Sequence, residues 1–228
     1  MTDDRQDWGE RAVELDETEA ADHAYSASLA ALQALPFGGS VAQLLTDYLP
    51  QKKQRRLVEF VQELGREWQT HRDRLDEDFI RSDEFDRLVE DVMDRVQQVR
   101  SQEKQAYFAA ILAGFATPER PDEAERQRIL DTLDGMRPRQ MRILAVISET
   151  TEPPPGLYAG GVMATLKWKM PDLEDAVIRD EWDALAGLGV VGGYPSGTMT
   201  AQGAGNLRGR VTPYGWRYLK AIRVGSGP

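Results

Sequence analysis

Tyr107-Phe-Ala-Ala-Ile-Leu-Ala-Gly-Phe-Ala116 carries no charge and is apolar on every side. A surface helix has one apolar stripe, whereas a helix that is apolar all round lies buried among others. Ten residues rise about 15 Å as a helix, half the roughly 30 Å of a bilayer's hydrocarbon core. The stretch therefore reads as the central helix of a bundle, not as a membrane span.

The segments before it supply the rest of the bundle. Phe85, Leu88, Val89, Val92, Val96 and Val99 recur at the spacing of one helix face, with Ser82 placed to cap that helix. Leu57, Val61, Leu64, Trp68, Leu75 and Phe79 predict one long helix before it, entered through Pro50 in its first turn. Earlier still, 23–35 is an alanine- and leucine-rich helix broken by Pro36-Phe-Gly-Gly-Ser40, and Ser40 is placed to cap a short helix at 41–49. Four or five helices with short connections make a bundle over 23–117. Residues 1–22 hold nine acids and two bases and read as an exposed acidic arm.

After the central helix, Thr117-Pro-Glu-Arg-Pro121 is the expected boundary, and 121–228 a second domain. Asp122 with Glu125 three residues on starts one helix, and Pro138 starts another that carries Met141, Ile143, Leu144 and Ile147. The run of prolines after Thr151 cannot be regular helix. A further segment covers 160–169, and Asp172 is placed to cap a helix that runs through Leu188 and ends at Gly189. Val190-Val191 and Arg208–Thr212 read as a pair of short strands around the glycine-rich stretch 192–206. Thr212-Pro213 opens a last helix with Trp216, Leu219 and Ile222 on its apolar side.

The order helix, helix, helix, strand, long loop, strand, helix resembles a winged helix over roughly 137–223. Leu185-Ala-Gly-Leu-Gly-Val-Val191 looks like a recognition-type helix turning into a wing strand. Val211-Thr-Pro-Tyr-Gly-Trp-Arg-Tyr-Leu219 is similar to the threonine-proline-x-glycine entry into the final helix of such domains. The expected fold class is mainly α: an N-terminal helical bundle plus a small C-terminal winged-helix (α+β) domain. Leu35-Pro-Phe-Gly-Gly39 and Ser101-Gln-Glu-Lys104 resemble motifs of a group of prokaryotic helical-bundle proteins without an assigned activity, so that likeness lends no catalytic residues.

Composition narrows the function. There is no cysteine, which excludes disulfides and thiolate chemistry, and only His23 and His71 are available for a histidine metal site. No metal or cofactor is expected. The N-terminus lacks a basic-then-apolar leader and no run reaches the length of a strong span, so a cytoplasmic protein is expected. Residues 1–120 carry 25 acids and 15 bases, 121–228 carry 13 of each, and Ala184 to the end contains Arg208, Arg210, Arg217, Lys220 and Arg223 with no acid.

A winged helix that reads DNA lays its third helix in the major groove. Here that helix holds Asp172, Glu174, Asp175, Asp180, Glu181 and Asp183 against Arg179 alone. Phosphate neutralisation drives such binding, so the conventional mode is disfavoured. The expected function is a non-enzymatic regulatory or interaction protein. Its bundle oligomerises or senses a partner, and its second domain docks protein, or nucleic acid through the wing. Arg208, Arg210, Arg217 and Lys220 are the candidate macromolecule-binding residues.

Other constellations carry less. Arg66 and His71 match the arginine-x4-histidine pattern of HEPN ribonucleases, but five helical residues set them about 140° apart. Asp76–Asp86 suggests a calcium loop, yet Ile80 and Arg81 stand where an oxygen ligand and a glycine are needed. Gly203–Gly209 has neither the spacing nor the context of a dinucleotide loop and reads as a wing tip. Ala24–Thr46, free of ionisable side chains except Tyr25, could be a hairpin that enters a membrane. It supports the alternative of a membrane-active effector in a bacterial defence system.

Overall fold

The computed structural model describes residues 23–48, 57–193 and 197–222. The acidic arm, Pro50 and Arg223 lie outside the described residues. The protein is mainly α, with one two-stranded antiparallel sheet. It divides into two compact units. One takes in the described residues up to Leu130, and the other is Asp131–Ala221.

The first unit begins with α1 (23–33) and α2 (Gly38–Tyr48). Their connection is tighter than the sequence predicts. Phe37 takes a left-handed φ of 59°, and α2 starts at Gly38, so Ser40 sits inside the helix instead of capping it. Any Cβ on Gly38 would lie 1.9 Å from the Leu32 carbonyl oxygen; only glycine allows that approach. The indole N–H of the fully buried Trp68 donates to the Pro36 carbonyl at 2.9 Å, tying this turn to the next helix.

That helix, α3, runs Val58–His71 and stops there. The stripe expected to continue to Leu75 and Phe79 is broken by a 3-10 turn at Arg72–Arg74, an extended Leu75, and a separate short α4 (Glu77–Ile80). The cause is a bond from the Asp76 N–H to the Ala116 carbonyl at 2.8 Å, while the Asp76 carboxylate caps α4 at Phe79. Ser82 caps α5 (Asp83–Val96) as expected, and Phe85, Leu88, Val89, Val92 and Val96 are all buried. Ser101 caps α6 (Gln102–Phe115), whose residues Phe108–Ala113 are buried without interruption. α6 packs along α3 and α5, and α2 packs on α5.

Thr117–Pro121 is strapped down and does not act as a linker. Thr117 Oγ1 donates to the Gly114 carbonyl, and Arg120 reaches Asp76 at 2.7 Å while lying 3.8 Å over the Phe79 ring. Arg126, buried, donates to the Pro121 carbonyl and pairs with Glu84. The division into units falls instead inside α7 (Glu123–Gly135), which Asp122 caps at the Glu125 N–H.

In the second unit, α8 (Pro138–Glu149), α9 (Val162–Lys169) and α10 (Asp175–Gly187) pack on one another pairwise. Glu174 occupies the cap position of α10. Asp172 is spent elsewhere, in a bidentate pair with Arg142 at 2.8 and 3.1 Å. Gly189, at φ 75°, ends α10, with its N–H on the Ala186 carbonyl and the Val190 N–H on Leu185. This is the glycine-closed pattern that satisfies last-turn carbonyls.

The expected ribbon shrinks to one antiparallel bridge, Val191 with Val211. Arg208–Arg210 is a 3-10 turn, not a return strand. The segment between holds β2 (Met199–Thr200), paired with β1 (Ala159–Gly160), and a short α11 (Ala201–Gly205). The last helix, α12 (Pro213–Ile222), starts where the sequence places it. Thr212 Oγ1 donates to the Gly189 carbonyl at 2.6 Å and accepts from the Gly215 N–H at 2.8 Å, so one hydroxyl joins the end of α10 to the start of α12.

Candidate functional site

The four basic residues singled out by charge do not form one cluster. Arg208 is exposed, and its guanidinium carbon lies 4.9 Å from the centre of the half-buried Trp216 ring. On α12, Lys220 lies about 40° and Arg217 about 100° around the helix from Trp216; both are exposed. Arg208 therefore stacks on Trp216, and Lys220 and Arg217 lie to one side of it on α12. Arg210 points elsewhere, because a 3-10 turn rotates about 120° per residue. It reaches the Met199 sulfur at 3.2 Å and lines a cavity of about 600 Å³ with Thr151, Thr200, Gln202, Gly203, Asn206 and Gly209. Among the described residues, Arg208, Arg210 and Lys220 make no ion pair.

The acidic third helix is partly neutralised from within. Glu181 is buried, and both its carboxylate oxygens face arginines, Arg137 at 2.7 Å and Arg139 at 3.7 Å. Asp172 is held by Arg142 and kept below the usual carboxylate range by that hydrogen bond. Glu174, Asp175, Asp180 and Asp183 stay exposed beside the exposed Arg179. This face still presents net negative charge to anything that approaches.

His71 is buried, but Arg66 is not its partner. Arg66 is 70% exposed and pairs with Glu63. The neighbour of His71 is Glu67, one turn earlier, with Glu67 Oε2 4.0 Å from His71 Nε2 and neither atom hydrogen-bonded. Arg74 lies 3.2 Å from His71 Nδ1. A guanidinium only donates, so Nδ1 accepts and the neutral ring carries its hydrogen on Nε2. Burial pushes the Glu67 carboxyl up to about 7, with the Glu63 charge adding to the effect. Burial, with Arg74, pushes His71 down. Neither residue lines the cavity at Arg210 or the one in the first unit bordered by Gln62, Gln97 and Gln105.

Among the described residues no cluster of three or more His, Asp or Glu could hold a metal ion; in Asp76–Asp86, Asp76 serves as a cap and ion-pair partner and Glu77 and Glu84 as ion-pair partners. In the 24–46 hairpin, Tyr25, Leu32, Val41, Ala42 and Leu45 are buried, and no described helix is long and apolar enough to cross a membrane.

Charge counting missed two exposed aromatics of the second unit. Tyr158 is 93% exposed, and Trp168 is 43% exposed under the Lys169 ammonium. Tyr158 follows a proline-glycine turn where no periodicity marks its side. No family model, curated protein or solved structure matches this chain.

Proposed function

We propose that this chain is a non-enzymatic interaction protein whose second unit is a winged-helix-like module, docking an acidic protein segment through the last helix instead of the third. The carrying observation is the exposed set Arg208, Arg217 and Lys220 beside Trp216, in a stretch with no acid from Ala184 onward. A half-buried tryptophan under one arginine with further cations nearby offers apolar area together with charge, the composition of interface anchors. The winged-helix reading is supported by three mutually packed helices, the bridge that follows α10, and the Thr212-Pro213 entry to α12. The exposed acids of α10 speak against a major-groove role for it.

Anisotropy of a labelled glutamate-rich peptide, compared with a labelled DNA duplex, tests this. The full-length chain is expected to bind the peptide and to lose about tenfold or more in the combined variant Arg208→Gln, Arg217→Gln and Lys220→Gln, at roughly 0.5–1 kcal/mol per exposed charge. A duplex bound more tightly than the peptide, or a variant that binds as well as the parent, would refute the proposal.

A further inference from the structure

The cavity at Arg210 is chemically one-sided. Thr200 Oγ1 accepts from the Gly203 N–H, and Asn206 Oδ1 accepts from the Gly209 N–H at 3.0 Å. With one acceptor position on each oxygen taken, both residues keep their donors for a ligand: the Thr200 hydroxyl hydrogen and the Asn206 amide N–H groups. The hydroxyl of Thr151 and the amide of Gln202 lie on the same wall. Arg210 adds a permanent positive charge. Its one described side-chain partner is a thioether sulfur, a weak acceptor that leaves most of the guanidinium donors unused. Among the described residues no acid lines the cavity; Glu152, next to Thr151 in sequence, is exposed and outside the lining. The cavity of about 600 Å³ is open and polar: Thr151, Thr200, Gln202, Asn206 and Gly209 on its wall are exposed.

We infer that this cavity binds a phosphate monoester. Arg210 would form the charge-assisted fork on the phosphoryl oxygens, and the Thr200 hydroxyl and Asn206 amide would donate to them. The space left over admits the sugar that carries the phosphate. The same chemistry comes from a free sugar phosphate or from the 5′-phosphate end of a nucleic-acid strand. The site is independent of the α12 surface.

Calorimetric titration of the full chain with ribose, ribose 5-phosphate, and a short oligodeoxynucleotide with and without its 5′-phosphate tests the assignment. Ribose 5-phosphate is expected to bind and ribose not. Arg210→Gln should weaken ribose 5-phosphate by about tenfold or more, the scale of a lost charge-assisted bond. Gln202→Glu, at an exposed position where folding is not at stake, should do the same by repulsion. The double variant Arg217→Gln and Lys220→Gln, confined to α12, should leave the affinity unchanged. An oligonucleotide that gains from its 5′-phosphate and surpasses ribose 5-phosphate identifies a strand end as the source; equal affinities identify the free sugar phosphate. Equal binding of ribose and ribose 5-phosphate, an unchanged Gln202→Glu variant, or no saturation by any phosphorylated probe up to about 10 mM would overturn the assignment.

Discussion

Replacing Glu67 by glutamine should stabilise this protein at neutral and alkaline pH. Glu67 is 9% exposed, and its Oε2 finds no hydrogen-bond partner while facing His71 Nε2 at 4.0 Å. A buried carboxyl in that position holds its proton longer than the same carboxyl in the unfolded chain. Its value rises from 4.5 to about 7, and each tenfold change in proton affinity corresponds to about 1.4 kcal/mol. The full difference is about 3 kcal/mol. Relaxation of Glu63, Arg66 and His71 around the ionised form brings the expected cost to about 2–3 kcal/mol.

The sign follows from proton counting. Between 4.5 and 7 the folded state binds a proton that the unfolded state has released. Stability is therefore fully present below the unfolded value and is lost as pH rises through the folded one. Glutamine keeps the shape and never ionises. His71, lowered by burial, contributes the opposite slope below its ordinary 6.5, but it does so in both proteins and largely cancels in their difference. Urea unfolding of parent and Glu67→Gln at about pH 4.5 and pH 8 measures the effect. The two should agree within about 0.5 kcal/mol at the lower pH and differ by about 2–3 kcal/mol in favour of the variant at the higher. A variant less stable than its parent at pH 8 would refute the reasoning, because Glu67 would then be ionised and stabilising in the fold.

Two further outcomes test the packing. Gly215→Ala should cost several kcal/mol in urea unfolding or prevent folding of the second unit, since its Cβ would fall 2.0 Å from the Val190 carbonyl oxygen. Trp68→Phe keeps most of the apolar volume but leaves the Pro36 carbonyl without its donor; a loss of about 1–3 kcal/mol is expected on thermal or urea unfolding. A loss near zero would mean that the 35–39 turn does not depend on that bond.

Much of the fold is legible locally. Ser82, Asp122 and Thr212-Pro213 announce their helices because a cap and the N–H it satisfies lie three residues apart. The break after His71 is not legible, since Trp68, Leu75 and Phe79 keep helical spacing. The bond from Asp76 to Ala116 that ends the helix joins residues 40 positions apart in sequence. Glu67 was within reach, because it stands three residues after Leu64 and four before His71 on the same stripe, but a glutamate among charged neighbours reads as solvated. Arg208 and Arg210 both fall on the stretch expected to be the return strand. On a strand, residues two apart share a face. The 3-10 turn that replaces the strand sends one to Trp216 and the other to the cavity.

The second unit is near neutral by composition but not by arrangement. Arg137 and Arg139 are taken by Glu181, Arg142 by Asp172, and Lys167 by the carbonyls of Pro171 and Leu173. Arg139 and Arg142 belong to α8, Arg137 caps it and Lys167 belongs to α9; Glu181 and Asp172 offset part of their charge at short range. Separated from these pairs, exposed acids lie on α10, and the exposed bases Arg208 and Lys220 lie on the 3-10 turn and α12. Compensated pairs contribute little field beyond about one Debye length, about 8 Å at physiological salt, so an approaching molecule meets mainly the separated charges. On the proposed function, an acidic partner would be drawn to the Trp216 side and repelled from α10, which would orient it before contact. The same separation explains why total charge was a poor guide: Glu181 counts as an acid in composition, yet in the fold it is the buried counter-ion that consumes two arginines.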